Sequence, residues 1–93
     1  MNISVYDIIF KEGQRTNTIV VSGEVKNRTS KSYGTAVFHI ILFGRRSRIL
    51  GTGIFRINNF TSSSVKPFEV LIEKVYETVE GIAGCEVIFE GGY

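Results

Sequence analysis

Apolar and polar side chains alternate with a period of two between residues 19 and 26. Ile19, Val21 and Val25 fall on one side of this segment, whereas Glu24 and Lys26 fall on the other. A β-strand places successive side chains on opposite faces, so the pattern predicts a strand with one face in a hydrophobic core. Gly23 lies on the predicted inner face, where its missing side chain leaves room for a large residue opposite.

Similar apolar segments recur along the chain and are separated by short clusters of Gly, Asn, Ser and charged residues. The segments are rich in Val, Ile, Phe, Tyr and Thr, which favour strands, and the clusters between them are typical of turns. The predicted strands are Ile3–Phe10, Thr16–Asn27, Thr35–Phe43, Arg48–Asn58, Ser64–Glu73 and Ala83–Glu90. In 93 residues, these strands predict an all-β sandwich or partly open barrel, forming one domain over residues 1–93.

The segment Glu73–Gly81 does not fit the strand pattern clearly. Apolar residues recur around it at helical spacing, at Ile72, Val75, Tyr76 and Val79. A single helical turn and a strand crossover fit this segment equally well.

Alternation also predicts which side chains of the last two strands face inward. In the fifth strand the inner residues are Phe68, Val70 and Ile72. In the sixth strand they are Cys85, Val87 and Phe89.

The third strand is apolar on both sides. Ala36, Phe38, Ile40 and Leu42 occupy one face, and Val37, His39, Ile41 and Phe43 occupy the other. A strand with two apolar faces needs a cover on each of them.

Several short motifs occur in an order that resembles the FxLYD family of immunoglobulin-like domains. The motifs are VSGEVKN (21–27), IILFG (40–44), LGTG (50–53), INNF (57–60) and KPFEV (66–70), and the likeness covers roughly residues 18–90. Ile40 stands where the family has its first Phe, Gly44 replaces its Asp, and Phe43 fills the aromatic position, so the turn after Phe43 is expected to differ.

The resemblance implies an immunoglobulin-like two-sheet β-sandwich of six to seven antiparallel strands. It also implies a non-enzymatic module without catalytic residues or cofactors, of the kind that serves in adhesion, surface display or accessory roles. In the immunoglobulin topology the last strand lies beside the third.

With that topology, Ile88 joins Val37, His39, Ile41 and Phe43 on one outer face. An apolar patch of this kind on a small domain is typical of a surface that binds a protein partner or a second copy, as in a homodimer. The alternative is that Tyr76 and Val79 fold over the patch.

The chain has one cysteine and one histidine, Cys85 and His39. A thiol nucleophile with an imidazole base would need both groups within hydrogen-bond reach. The alternation predicts instead that Cys85 is buried and inert in the core and that His39 lies on the outer surface. One His and one Cys also cannot form a zinc ligand set, so neither a metal nor a cofactor is expected.

Arg45, Arg46 and Arg48 form the basic cluster of the sequence, in the predicted turn between the third and fourth strands. Arginines at a hairpin tip can bind phosphates, which makes polyanion or nucleic-acid binding the alternative function. The net charge of only +2 and the charged character of most hairpin tips favour a solubility role.

Nothing in the sequence identifies the compartment. The start of the chain lacks the basic region and cleavage site of a secretory signal, and no apolar run approaches a membrane span. A cytoplasmic location is expected if Met1 is the native start, and the cell surface if the domain is excised from an exported protein. The sequons at Asn2, Asn27 and Asn59 matter only after export, and the last two are expected in turns.

Overall fold

The computed structural model describes residues 2–93 and is built from antiparallel strands. Within these residues the strands are β1 (Ile3–Glu12), β2 (Thr18–Asn27), β3 (Tyr33–Phe43), β4 (Ile49–Phe60), β5 (Val65–Glu73) and β6 (Gly84–Gly92). Short 3-10 turns occupy Arg45–Ser47 and Val79–Gly81. The predicted all-β class and the predicted strands are confirmed, with boundaries that shift by one to two residues.

The strands form two sheets with an immunoglobulin-like arrangement. Sheet A has the order β1-β2-β5 and sheet B has the order β4-β3-β6. The last strand therefore lies beside the third, as expected from the immunoglobulin topology. The chain passes from one sheet to the other after β2, β4 and β5, which places the two apolar inner faces against each other.

The core consists of the inward-facing side chains of both sheets. Its buried apolar members are Ile3, Ile19, Val21, Val25, Ala36, Phe38, Ile40, Leu42, Phe55, Ile57, Phe60, Phe68, Val70, Ile72 and Val75. The inward faces predicted for β2 and β5 are thus observed. Phe55 connects the sheets, since its ring stacks on Phe38 at 5.0 Å within sheet B and on Phe68 at 4.4 Å across the sandwich.

Gly23 has the role that alternation predicts. A Cβ atom there would lie 3.0 Å from the Phe68 ring and 2.9 Å from the Ile8 side chain. The absence of a side chain therefore lets β1 and β5 bring large residues close to β2.

The inner residues of β6 are less buried than predicted. Cys85, Val87 and Phe89 pack against the core but remain half-buried. The physical reason is that β6 has little contact with sheet A, whereas the edge strands β4 and β5 pack against each other across the sandwich.

The segment after β5 contains a single 3-10 turn and also crosses from sheet A to sheet B, so both of its predicted forms are present. Val75 is buried in the core, and its backbone N–H donates a hydrogen bond to the carbonyl of Asn17 at 2.9 Å. The 3-10 turn Val79–Gly81 follows and leads into β6. No helix in the described residues is long and apolar enough to cross a membrane.

Asn27 at the end of β2 is fully buried and fully hydrogen-bonded. Its Nδ2 donates to the carbonyl oxygens of Lys31 at 2.8 Å and Phe60 at 3.0 Å. Its Oδ1 accepts from the backbone N–H and the hydroxyl of Thr29, at 2.9 and 2.6 Å. One side chain thus fixes the β2–β3 crossover to the end of β4, which explains Asn at a position where the sequence indicated only a turn.

We expect Asn27→Ala to lower the free energy of unfolding by about 2–4 kcal/mol, because it leaves two carbonyls and an N–H without their partner. Chemical denaturation followed by circular dichroism measures the change. Asn58→Ala, at an exposed position of β4, is the control and should cost under about 0.5 kcal/mol. Equal losses in the two variants would show that the buried amide does not hold the crossover.

Candidate interaction face

The outer face of sheet B is built around the outward side chains of β3. Val37, His39, Ile41 and Phe43 alternate with buried residues of the same strand and are each partly exposed. β3 is the central strand of its sheet, so both neighbours add side chains to this face. The predicted residues are therefore brought together on one surface.

The strand register places His39 between two isoleucines. Its partner on β4 is Ile54 and its partner on β6 is Ile88. Ile54 is 58% exposed, so its aliphatic side chain is available on the outer face of the edge strand β4. Ile88, predicted from the topology, does lie on the same face as His39.

Ile54 was missed at the sequence level. Alternation along β4 carries this information: Phe55 and Ile57 are buried on the inner face, so Ile54 and Arg56 between and beside them lie on the outer face, where they are exposed. Alternation alone does not say which residue of β3 lies beside Ile54, since that depends on the bulge next to the hairpin.

Charged side chains border the apolar centre on both sides. Arg56 on β4 lies beside Val37, and Glu86 on β6 lies beside Ile41. Glu90 on β6 reaches over the face, where its Oε1 lies 3.2 Å from Nδ1 of His39. The basic residue and the acidic residues therefore lie along opposite edges of the face.

The segment 73–81 does not cover this face. Tyr76 is 74% exposed, and Val79 packs against the edge of the core instead. These two residues therefore do not fold over the patch. The reason is that Val75 anchors the segment in the core at the end of the sandwich.

The outer face of sheet A is more polar. Glu24 and Lys26 on β2 and Glu69 on β5 interrupt its apolar residues. Tyr6 on β1 accepts a hydrogen bond from Arg28 at 2.8 Å. On sheet A two charged residues belong to the central strand, whereas on sheet B Arg56, Glu86 and Glu90 all belong to the edge strands β4 and β6.

Cys85 and His39 lie on opposite faces of sheet B. Cys85 pairs with the buried Leu42 and packs against the core, whereas His39 points outward. Burial raises the pKa of the Cys85 thiol, which lowers the fraction of reactive thiolate at neutral pH. The arrangement gives no Cys–His pair, and the described residues contain no cluster of three or more His, Cys, Asp or Glu side chains suited to a metal ion.

We expect native Cys85 to react with a disulfide reagent at pH 8 at least about tenfold more slowly than the guanidinium-unfolded protein. The rate should rise as the pH increases toward the raised pKa, because only the thiolate attacks. Absorbance of the released thiolate measures both rates. A native rate equal to or above the unfolded rate would contradict the packed position of this thiol.

The arginine cluster lies where it was predicted, at the β3–β4 hairpin. Arg45, Arg46 and Arg48 are exposed around the 3-10 turn, and Arg46 adopts a left-handed conformation with φ of 57°. The N–H of Gly44 closes the turn by donating to the carbonyl of Arg48 at 2.7 Å. The tip is thus a defined turn that presents its guanidinium groups to solvent.

Acidic residues share the surroundings of this tip. Arg45 and Arg48 line a shallow cleft together with Glu77 and Glu80 of the segment before β6. Hydrogen bonds from its own backbone N–H and from the Thr78 side chain lower the pKa of Glu80, which keeps this carboxylate charged. The acids reduce the positive potential that a polyanion would need.

The chain resembles parts of solved structures but matches no protein-family model and no curated protein. β-Glucosidase 3B from Thermotoga neapolitana matches 96% of this chain with a TM-score of 0.55 and 8% identity, and the match covers 16% of the glucosidase. A β-glucosidase from Kluyveromyces marxianus matches 98% with a TM-score of 0.50 and 13% identity, over 14% of its length. A DUF1425 family member from Shewanella sp. pv-4 matches 98% with a TM-score of 0.51 and 6% identity, over 77% of its length.

At these identities the comparisons show the fold alone. The protein is a small β domain, similar to a member of the DUF1425 family and to a minor part of two glycosidases. Because the matched regions are about a sixth or less of the glucosidase chains, they are not evidence of catalysis by this chain.

Proposed function

We propose that this protein is a non-enzymatic interaction module, a single β-sandwich domain over residues 1–93 that binds protein through the outer face of sheet B. The exposed isoleucine Ile54 beside His39 and Ile88 is the observation that supports this proposal most directly. Apolar side chains at the centre with charged side chains at the edge are the arrangement of a protein interface.

A second copy of the chain is the partner that fits this face. The face is largely apolar in its central rows and carries both signs of charge at its edges, so an identical surface offers it apolar contact and opposite charge. A self-complementary patch is what a twofold dimer requires.

The size of the face sets the expected strength of the contact. Three strands spaced about 4.8 Å apart and about nine residues long cover roughly 400 Å². A standard interface buries about 800 Å² per partner, so we expect a weak dimer with a dissociation constant of roughly 10–1,000 µM. Such a contact suits a module that acts through several copies or at high local concentration.

The proposal includes a relationship to the FxLYD family. The motif order in residues 18–90 and the pairing of β6 with β3 support this relationship. The family resemblance likewise favours an adhesive or accessory role over catalysis.

We expect Ile54→Lys to weaken self-association by about tenfold or more, because the substitution removes an aliphatic contact and the new ammonium group must lose its hydration in the dimer. Sedimentation velocity from about 10 µM to about 1 mM, which brackets the estimated dissociation constant, measures the monomer–dimer equilibrium. The substitution is at an exposed position, so the fold and its thermal midpoint should be preserved.

Leu71→Lys is the matched control. Leu71 is an aliphatic strand residue of similar exposure, 51%, but it lies on the outer face of sheet A. It should leave the dimer unchanged. A wild-type protein that stays monomeric over the whole range, or equal effects of the two lysines, would rule out self-association through sheet B.

Polyanion binding through Arg45, Arg46 and Arg48 is the competing proposal. Since Glu77 and Glu80 line the same cleft, we expect the wild type to elute from heparin at low salt, and the triple alanine variant, whose formal net charge falls by three from +2 to −1, to elute only slightly earlier. Tight retention of the wild type that is lost in the triple variant would favour the arginine tip as the functional site.

A further inference from the structure

Three adjacent rows of outward side chains, centred on His39, cross β4, β3 and β6 on the face of sheet B. The rows are Thr52, Ile41 and Glu86; then Ile54, His39 and Ile88; then Arg56, Val37 and Glu90, the last of these at the bulge where β6 departs from regular pairing. The first and third rows therefore carry different groups at their β4 and β6 ends, whereas the middle row has isoleucine at both ends. The difference gives the face a direction.

We propose that two copies of this chain associate face to face about a twofold axis that runs parallel to β3 and passes over His39. This inference rests on the proposed function and specifies how the partner is oriented. Arg56 and Glu90 determine the orientation, and the two isoleucines that flank His39 supply the apolar contact.

An axis along β3 places β4 of one protomer over β6 of the other. Arg56 then faces the partner's Glu90, and Ile54 faces the partner's Ile88. Thr52 faces the partner's Glu86, to which its hydroxyl is able to donate a hydrogen bond. Every row end thus meets a complementary group, and the symmetry repeats each contact twice.

An axis perpendicular to β3 gives the opposite result. It places β6 over β6, so that Glu86 faces the partner's Glu90, twice in each dimer. Arg56 then faces the partner's Thr52 and leaves both carboxylates without a cation. Opposed like charges in an interface are a strong penalty, so the charge pattern selects the axis along β3.

The carboxylate of Glu90 belongs to this face of sheet B. Its Oε1 atom lies 3.2 Å from Nδ1 of His39, so the group is present on the surface that the partner would contact. The facing sheets of the two copies would cross at about 30°, as packed sheets usually do. This angle displaces Arg56 from the partner's Glu90 by a few ångströms, which the long arginine side chain can span.

Charge reversal tests the orientation. Arg56→Glu and Glu90→Arg are both at exposed positions, and each alone should weaken the homodimer by about tenfold or more, because two like-charge contacts form. An equimolar mixture of the two variants should recover dimer near the wild-type level. In the mixed dimer the acid introduced at position 56 faces the base introduced at position 90, and the native Arg56 faces the native Glu90.

Sedimentation velocity of each variant alone and of the mixture gives the three dimer dissociation constants. The charge-matched control is Glu69→Arg on the outer face of sheet A. Glu90→Arg alone would tighten the dimer if the axis were perpendicular, because the new base would face the partner's Glu86; that result overturns the inference. A dimer that depends on Ile54 but shows no recovery in the mixture also overturns it, while the proposed function stands. If the wild-type protein forms no dimer, both the proposed function and the proposed orientation are ruled out.

Discussion

The position of β3 at the centre of sheet B is the constraint on which the rest of the structure depends. Its inner side chains, such as Phe38 and Ile40, are completely buried in the core, and its outer side chains form the middle of the candidate face. A slip of one residue in its pairing would exchange these two sets. One register therefore determines both how the sandwich is packed and what it presents to solvent.

Much of the architecture was predictable because it depends on local periodicity. Alternation in β2 and β5 identified the buried side chains correctly, since both strands have one apolar and one polar face. The immunoglobulin-like pairing of β6 with β3 followed from the resemblance to a family and not from periodicity. The burial of Cys85 was overestimated, because alternation gives the direction of a side chain but not how much of the opposite sheet packs over it.

The candidate site was less predictable because it depends on contacts between distant segments. Val37 and Ile41 were identified from the doubly apolar strand and Ile88 from the immunoglobulin topology, whereas Ile54 and Arg56 required the register of the β3–β4 hairpin. The role of Asn27 was also hidden, since its partners Lys31 and Phe60 are determined by the crossover between the sheets. Sequence patterns describe single strands, but sites of this kind form where strands meet.

The pairing of β6 with β3 has a consequence for how the chain folds. Ile40 pairs with Val87, and Val21 pairs with Val70, so each sheet joins strands from distant parts of the sequence. Closing such long loops costs entropy before any contact is gained, which makes folding of this topology slow, on the order of milliseconds to seconds. During synthesis, the β3–β4 hairpin emerges well before β6, so the backbone edge of β3 that pairs with β6 has no strand partner until β6 leaves the ribosome.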